Sequence, residues 1–169
     1  DYDNGPLYVF FDDNQNIYSR EKKFPITEEP FLLKDNCRNT SQIHHLAYKY
    51  YKGDWVDPPQ NMGTKIMRIH TDTLESEVKK INMEITNLIT NEKVSPDSIS
   101  VLLLNGECKE IYYNMFEGLP LPKPAKLQIE WIQGANDVLV DTVKRYKGLE
   151  SEIVFLCGLD GSENGALDD

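Results

Sequence analysis

Apolar positions in this chain recur in two rhythms. Leu74, Val78, Ile81, Ile85 and Leu88 step by four and three, the spacing of one helix face, and predict a helix running to about Asn91. Asp72 followed by Glu75 reads as its capping box. Thr40 reads as a second N-cap, with Ile43, Leu46, Ala47 and Tyr50 at helical spacing and a stop near Gly53. Short continuous apolar runs predict strands at Leu7–Phe11, Ile66–Ile69, Ile99–Leu104, Val138–Val143 and Ile153–Leu156, and Phe31-Leu32-Leu33 reads as a further apolar run leading into the turn before the first helix. Ile111–Phe116 reads as a short helix, and GLPLPKPAK as a Pro-rich loop.

Strands alternating with helices predict an α/β fold. The unbroken apolar runs VLLL and IVFLC predict a mainly parallel sheet covered on both faces. At 169 residues the chain is the size of one domain or slightly more. With 28 acidic and 18 basic residues its net charge is −10, which argues against a free-standing protein that coats DNA but not against a small basic site on an acidic body. Cys37, Cys108 and Cys157 are odd in number and widely spaced, so neither a disulfide framework nor a zinc module is expected. A reducing, cytoplasmic setting fits. No apolar stretch reaches the roughly 20 residues that span a bilayer. His44, His45 and His70 are too scattered for a metal site, and the two adjacent histidines read as one surface and one boundary residue.

Three short segments carry candidate chemistry. In FFDDNQNIY (10–18), polar groups follow a buried strand, where α/β sheets place ligands. Gln15 could donate to a phosphate while accepting from a water, and Tyr18 could stack on a base. A solvated Asx-rich turn is the plainer alternative. In LKDNCRNT (33–40), Arg38 could form a fork with phosphate oxygens, or a salt bridge with Asp35. In DTVKRYKGLE (141–150), three basic residues within four positions form the densest positive charge in the chain. Such groups suit a phosphate backbone, or a solvated loop balancing the six acids after Gly148. The chain carries no GxxxxGK[ST] phosphate loop.

The order of the three segments resembles superfamily 1 DNA helicases of the UvrD/Rep type. FDDNQNIY is similar to the family's D-D-x-Q-x-I-Y, LKDNCRNTSQI to its L-x-x-N-x-R-[ST]-x-x-I, and DTVKRYKGLESEIVF to its T-x-H-x-x-K-G-L-E-x-x-x-V-F. The resemblance spans roughly residues 7–160. It implies a three-layer RecA-like domain that lacks its own phosphate loop. Residues 1–30 would be the tail end of a first motor domain and residues 31–169 a second one, cut before the family's last motif. It implies ATP and Mg2+ as cofactors of the full-length protein, the Mg ligands lying outside this chain. The partners would be single-stranded DNA and the first motor domain of the same polypeptide, with no membrane. The full-length protein would hydrolyse ATP, and the isolated chain would not.

Residue by residue, the resemblance implies that Gln15 senses the γ-phosphate and that Arg38 reaches it from the second domain, the two forming the catalytic pair. Gly148 and Glu150 would complete the nucleotide site, and Tyr18, Thr142, Lys144 and Arg145 would lie against DNA. The sequence departs from the family at Cys37, where a Tyr stacking on adenine is common, and at Arg20, near a DNA-stacking Trp. Lys144 replaces a His, which keeps a phosphate donor with a fixed charge. Only about 29 residues separate Asn105 from Gly134, where many relatives insert an accessory domain. The alternative to a motor is a non-catalytic interaction or regulatory module that retains the fold.

Overall fold

The structure, a computed structural model, describes residues 8, 9, 29, 31, 34–129, 132 and 134–159. Two compact units divide the chain, Asp1–Arg68 and Ile69–Asp169. Gln15 and Tyr18, and most of the run Leu7–Phe11, lie outside the described residues.

The first unit contains α1 (Ser41–Tyr48). Thr40 is the N-cap in extended geometry, yet its side chain bonds no backbone N–H; the Ser41 N–H goes instead to the Asn61 carbonyl at 2.9 Å. The helix ends at Tyr48, five residues before Gly53, because the chain tightens. Tyr50 N–H bonds the Ala47 carbonyl and Tyr51 N–H the Tyr48 carbonyl, both three residues back. That turn lays the Tyr51 ring on the Tyr48 ring, and Tyr48 also stacks on His44. His44 is therefore a buried residue rather than a boundary one, its Nδ1 accepting from Asn36 Nδ2 at 3.0 Å, whereas His45 is exposed. A Cβ on Gly63 would come within 2.5 Å of the Thr40 side chain, so only glycine fits there.

Of the run Phe31-Leu32-Leu33 only Phe31 is described, and it is exposed; beyond it Asp35 makes an isolated parallel bridge to Asp57. One expected strand of this region does not form. Residues 66–69 are irregular, with Met67 and Ile69 exposed. Their alternation K-I-M-R-I suits a strand, but no strand among the described residues pairs with it.

The second unit is α/β, built on a four-stranded, all-parallel sheet: β1 (Ile99–Leu103), β2 (Leu127–Gln128), β3 (Val138–Thr142) and β4 (Ile153–Cys157), in the order β2-β3-β1-β4. β1, β3 and β4 fall on predicted strands, and the two-residue β2 on none. Register aligns Val101 with Val140 and with Phe155. The helix α2 (Leu74–Thr90) starts one residue later than expected, with a capping box between Thr73 and Ser76. Val78, Ile81 and Ile85 on α2, with Tyr112 and Phe116 on α3 (Lys109–Glu117), form one cluster with Ile99, Val101, Leu103, Val138, Val140 and Cys157. Both helices thus cover the same sheet face.

The central strands β1 and β3 are covered on both faces, as expected. Ser100, Leu102, Leu139 and Asp141 alternate onto the second face and are buried. Part of their cover is loop, since Ser100 Oγ bonds Ser151 Oγ at 2.7 Å and Tyr146 OH donates to Ser151 Oγ at 2.8 Å. On β4 the pattern alternates, leaving Val154 47% and Leu156 48% exposed. The run IVFLC is apolar throughout, yet as an edge strand it is buried on one face only. No helix among the described residues is long and apolar enough to cross a membrane.

Candidate functional site

The connection after β1 runs into α3 on the helical face, while the one after β3 crosses to the opposite face. Adjacent parallel strands whose connections part in this way open a crevice at their carboxyl ends. At these carboxyl ends Gly106 and Lys109 follow β1, and Asp141, Thr142, Lys144 and Arg145 stand at and just after the end of β3. Gly106 lies close enough to Thr142 that a Cβ there would touch its methyl group at 3.5 Å.

Asp141 organises this crevice. The residue is 3% exposed, on the largely apolar strand VLVDT, and a buried charge persists only when paired. Oδ1 accepts from Lys109 Nζ at 2.7 Å and from Thr142 N–H at 2.7 Å, and Oδ2 accepts from Arg145 Nε at 3.3 Å. Lys109 Nζ also donates to the Ile129 carbonyl at 3.0 Å. Neither Asp141 nor Lys109 stood out as a candidate from sequence. The signal was a lone carboxylate inside an apolar strand; its partner, 32 residues earlier, left no mark.

The basic turn follows directly. Val143 N–H bonds the Leu103 carbonyl at 3.0 Å, extending the ladder one residue past β3. Thr142 is buried, and its Oγ1 accepts from Arg145 N–H at 3.3 Å while its carbonyl accepts from Tyr146 N–H at 3.0 Å. Lys144 and Arg145 are exposed on this turn. Gly148 has φ +88° with open space around it, so backbone conformation rather than crowding calls for glycine. Glu150 lines a cavity of about 160 Å³ over the second sheet face, together with Asp97, Ser100, Gln128, Tyr146 and Ser151. The buried Oε1 of Gln128 has no hydrogen-bond partner among the described residues.

The structure therefore gathers Thr142, Lys144, Arg145, Gly148 and Glu150 on one connection of the second unit. Arg38 belongs to the first unit. It is exposed in the turn before α1, where its N–H and that of Asn39 both bond Asn36 Oδ1 at 3.2 Å. Among the described residues no group of three or more His, Cys, Asp or Glu is arranged to hold a metal ion.

Cys157, at the carboxyl end of β4, has a displaced ionisation. Burial, with a smaller contribution from the Glu77 carboxylate, pushes its thiol from 9.0 up to about 12. Glu77 is held there by Tyr112 OH at 2.7 Å and Gly158 N–H at 3.3 Å. The unfolded thiol ionises near pH 9 and the folded one does not. Stability is thus unaffected by this group below pH 9 and falls as pH rises toward 12, by about 1.4 kcal/mol per pH unit. Urea midpoints at pH 8 and pH 10 should converge more closely in Cys157→Ala than in the native chain. An equal decline in both would refute the assignment.

Compared with protein-family models, with curated proteins and with solved structures, the chain matches none.

Proposed function

We propose that this chain is the second motor domain, RecA-like in architecture, of a UvrD/Rep-type ATP-dependent DNA helicase or translocase, which completes the ATP site and grips single-stranded DNA. One observation carries the reading: the segment similar to T-x-H-x-x-K-G-L-E-x-x-x-V-F begins at the carboxyl end of β3, turns at a positive-φ glycine, and ends inside β4, the strand on the far side of β1. A motor domain needs that course, because a single connection then offers cations at the carboxyl edge and a carboxylate farther along.

In this reading Lys144 and Arg145 contact DNA phosphates, and Thr142 holds their turn through Arg145 N–H. Glu150 accepts from the nucleotide sugar and Gly148 shapes its approach. Gln15 and Tyr18 belong to the same set as the nucleotide sensor and the aromatic near DNA. Arg38 supplies positive charge to the transferring phosphoryl group. ATP and Mg2+ would be held chiefly by the first motor domain, and the chain alone would not turn over ATP. The test is steady-state ATP hydrolysis by the purified 169-residue chain, with and without oligothymidylate. The expected rate is background in both, rising only when the chain is joined to a first motor domain; multiple turnovers by the chain alone would overturn the reading.

A further inference from the structure

The charge of the chain is uneven, and only part of that unevenness falls in the helicase-like segments. Residues 34–68 carry six basic residues (Lys34, Arg38, Lys49, Lys52, Lys65, Arg68) against three acids, a net +3 within a chain of −10. The same stretch contains YKYYKGDW (48–55), in which four of eight residues are aromatic and two are lysines. Aromatic rings interleaved with cations are the composition that holds single-stranded nucleic acid, the rings taking bases and the cations taking phosphates.

The structure turns this composition into a surface. Tyr48 is the hub: it stacks on His44 (ring centroids 5.1 Å apart, planes 23° from parallel) and on Tyr51 (5.4 Å, 25°) and meets Trp55 edge-on (5.5 Å, 72°). Trp55 is nonetheless 62% exposed. Its indole N–H donates to Asp57 Oδ1 at 2.8 Å, and Val56 N–H donates to Tyr48 OH at 3.4 Å. Asp57 is in turn tied by its backbone to Lys34 and Asn36 at 2.7 and 3.3 Å. The indole is thus fixed at its edge and at its nitrogen while much of its surface meets solvent. A ring held in advance loses little conformational freedom when a flat partner stacks on it.

We propose that Trp55, seated on Tyr48 and close in sequence to Lys49 and Lys52, is a base-stacking platform for single-stranded nucleic acid. It uses none of the residues of the basic turn after β3 and does not rest on the motor reading. Of the acids in this stretch, Asp57 is engaged with the indole, while Asp35 and Asp54 offset part of the positive charge.

The test uses the full chain carrying Trp131→Phe, which leaves Trp55 as the sole indole, titrated with oligothymidylate of about 16 nucleotides in about 50 mM salt. Trp55 emission should be quenched saturably, and a duplex of equal length, whose base faces are already stacked, should not quench it. In anisotropy with a labelled oligonucleotide, Trp55→Ala should weaken binding by about tenfold or more, while Trp55→Phe should retain most of it. Absence of binding, binding with unquenched Trp55, or unchanged affinity in Trp55→Ala would overturn the proposal. Lys144→Glu separates the two sites. If it abolishes binding while Trp55→Ala does not, the platform falls and the DNA grip of the motor reading stands. If only Trp55→Ala matters, the platform stands and the grip assigned to the basic turn falls.

Discussion

Replacing Arg38 by alanine in a polypeptide that carries both motor domains should lower kcat for ATP hydrolysis by about 10³-fold or more, the scale of an arginine that stabilises a transferring phosphoryl group. The expectation follows from where the residue sits. Arg38 is exposed, in a turn held by Asn36 Oδ1 through the backbone N–H groups of residues 38 and 39. These two turn bonds do not involve the guanidinium, and the loss should appear chiefly in turnover. Arg38→Lys should recover only a small part, because an ammonium cannot reproduce a planar, two-pronged contact. KM for ATP should change far less than kcat, since in the proposed role the guanidinium meets charge that develops in the transition state. Turnover within tenfold of the native polypeptide would remove Arg38 from the site.

The fold was most legible where one physical signal acted alone. The 4-3-4-3 spacing from Leu74 to Leu88 needs only one apolar neighbour, and α2 buries Val78, Ile81 and Ile85 as that spacing requires. The central strands β1 and β3 are mostly apolar and buried at every position because both their faces are covered. Legibility failed where the outcome depended on a remote partner. Residues 66–69 have strand-like residues and no described strand to pair with. The two-residue β2 has almost no sequence of its own and exists because Leu127 and Gln128 meet Val138 and Leu139. β4 reads like a central strand and is an edge, a property of sheet order that composition does not encode.

The candidate site divides along the same line. Lys144, Arg145, Gly148 and Glu150 were visible as a local cluster of charge around a glycine, and they share one connection. Lys109 was not visible, because a lysine at the start of a helix is unremarkable until the fold sets it 2.7 Å from a carboxylate on another strand. Trp55 and Tyr48 were passed over because aromatic residues in a helix and the turn after it read as ordinary packing, and only the stack and the exposed indole separate them from core.

Asp141→Ala should destabilise the second unit by about 3–5 kcal/mol, the cost of leaving one member of a buried pair without its partner. The Lys109 side chain is only 14% exposed and that of Asp141 5%, so the orphaned ammonium would keep just the Ile129 carbonyl and what water reaches it. The Arg145 contact adds less, because that side chain is 55% exposed and solvent screens it. A loss of this size is a large share of the roughly 5–15 kcal/mol that holds a domain together, and it should appear as a urea midpoint lowered by about 1–3 M. Removing both charges, as Lys109→Met with Asp141→Leu, should recover much of the loss, since apolar groups of similar volume leave nothing unpaired. A single-variant cost below about 1 kcal/mol would mean that the pair is solvated and that the crevice is looser than its geometry implies. The milder Asp141→Asn keeps an acceptor for Thr142 N–H and removes only charge, so it separates two accounts of the basic turn. If phosphate contact depends on net charge alone, losing a carboxylate beside Arg145 raises affinity for oligothymidylate. If it depends on the direction in which Asp141 holds Arg145 and its turn, affinity falls, and the double-anchored geometry of that carboxylate favours the fall.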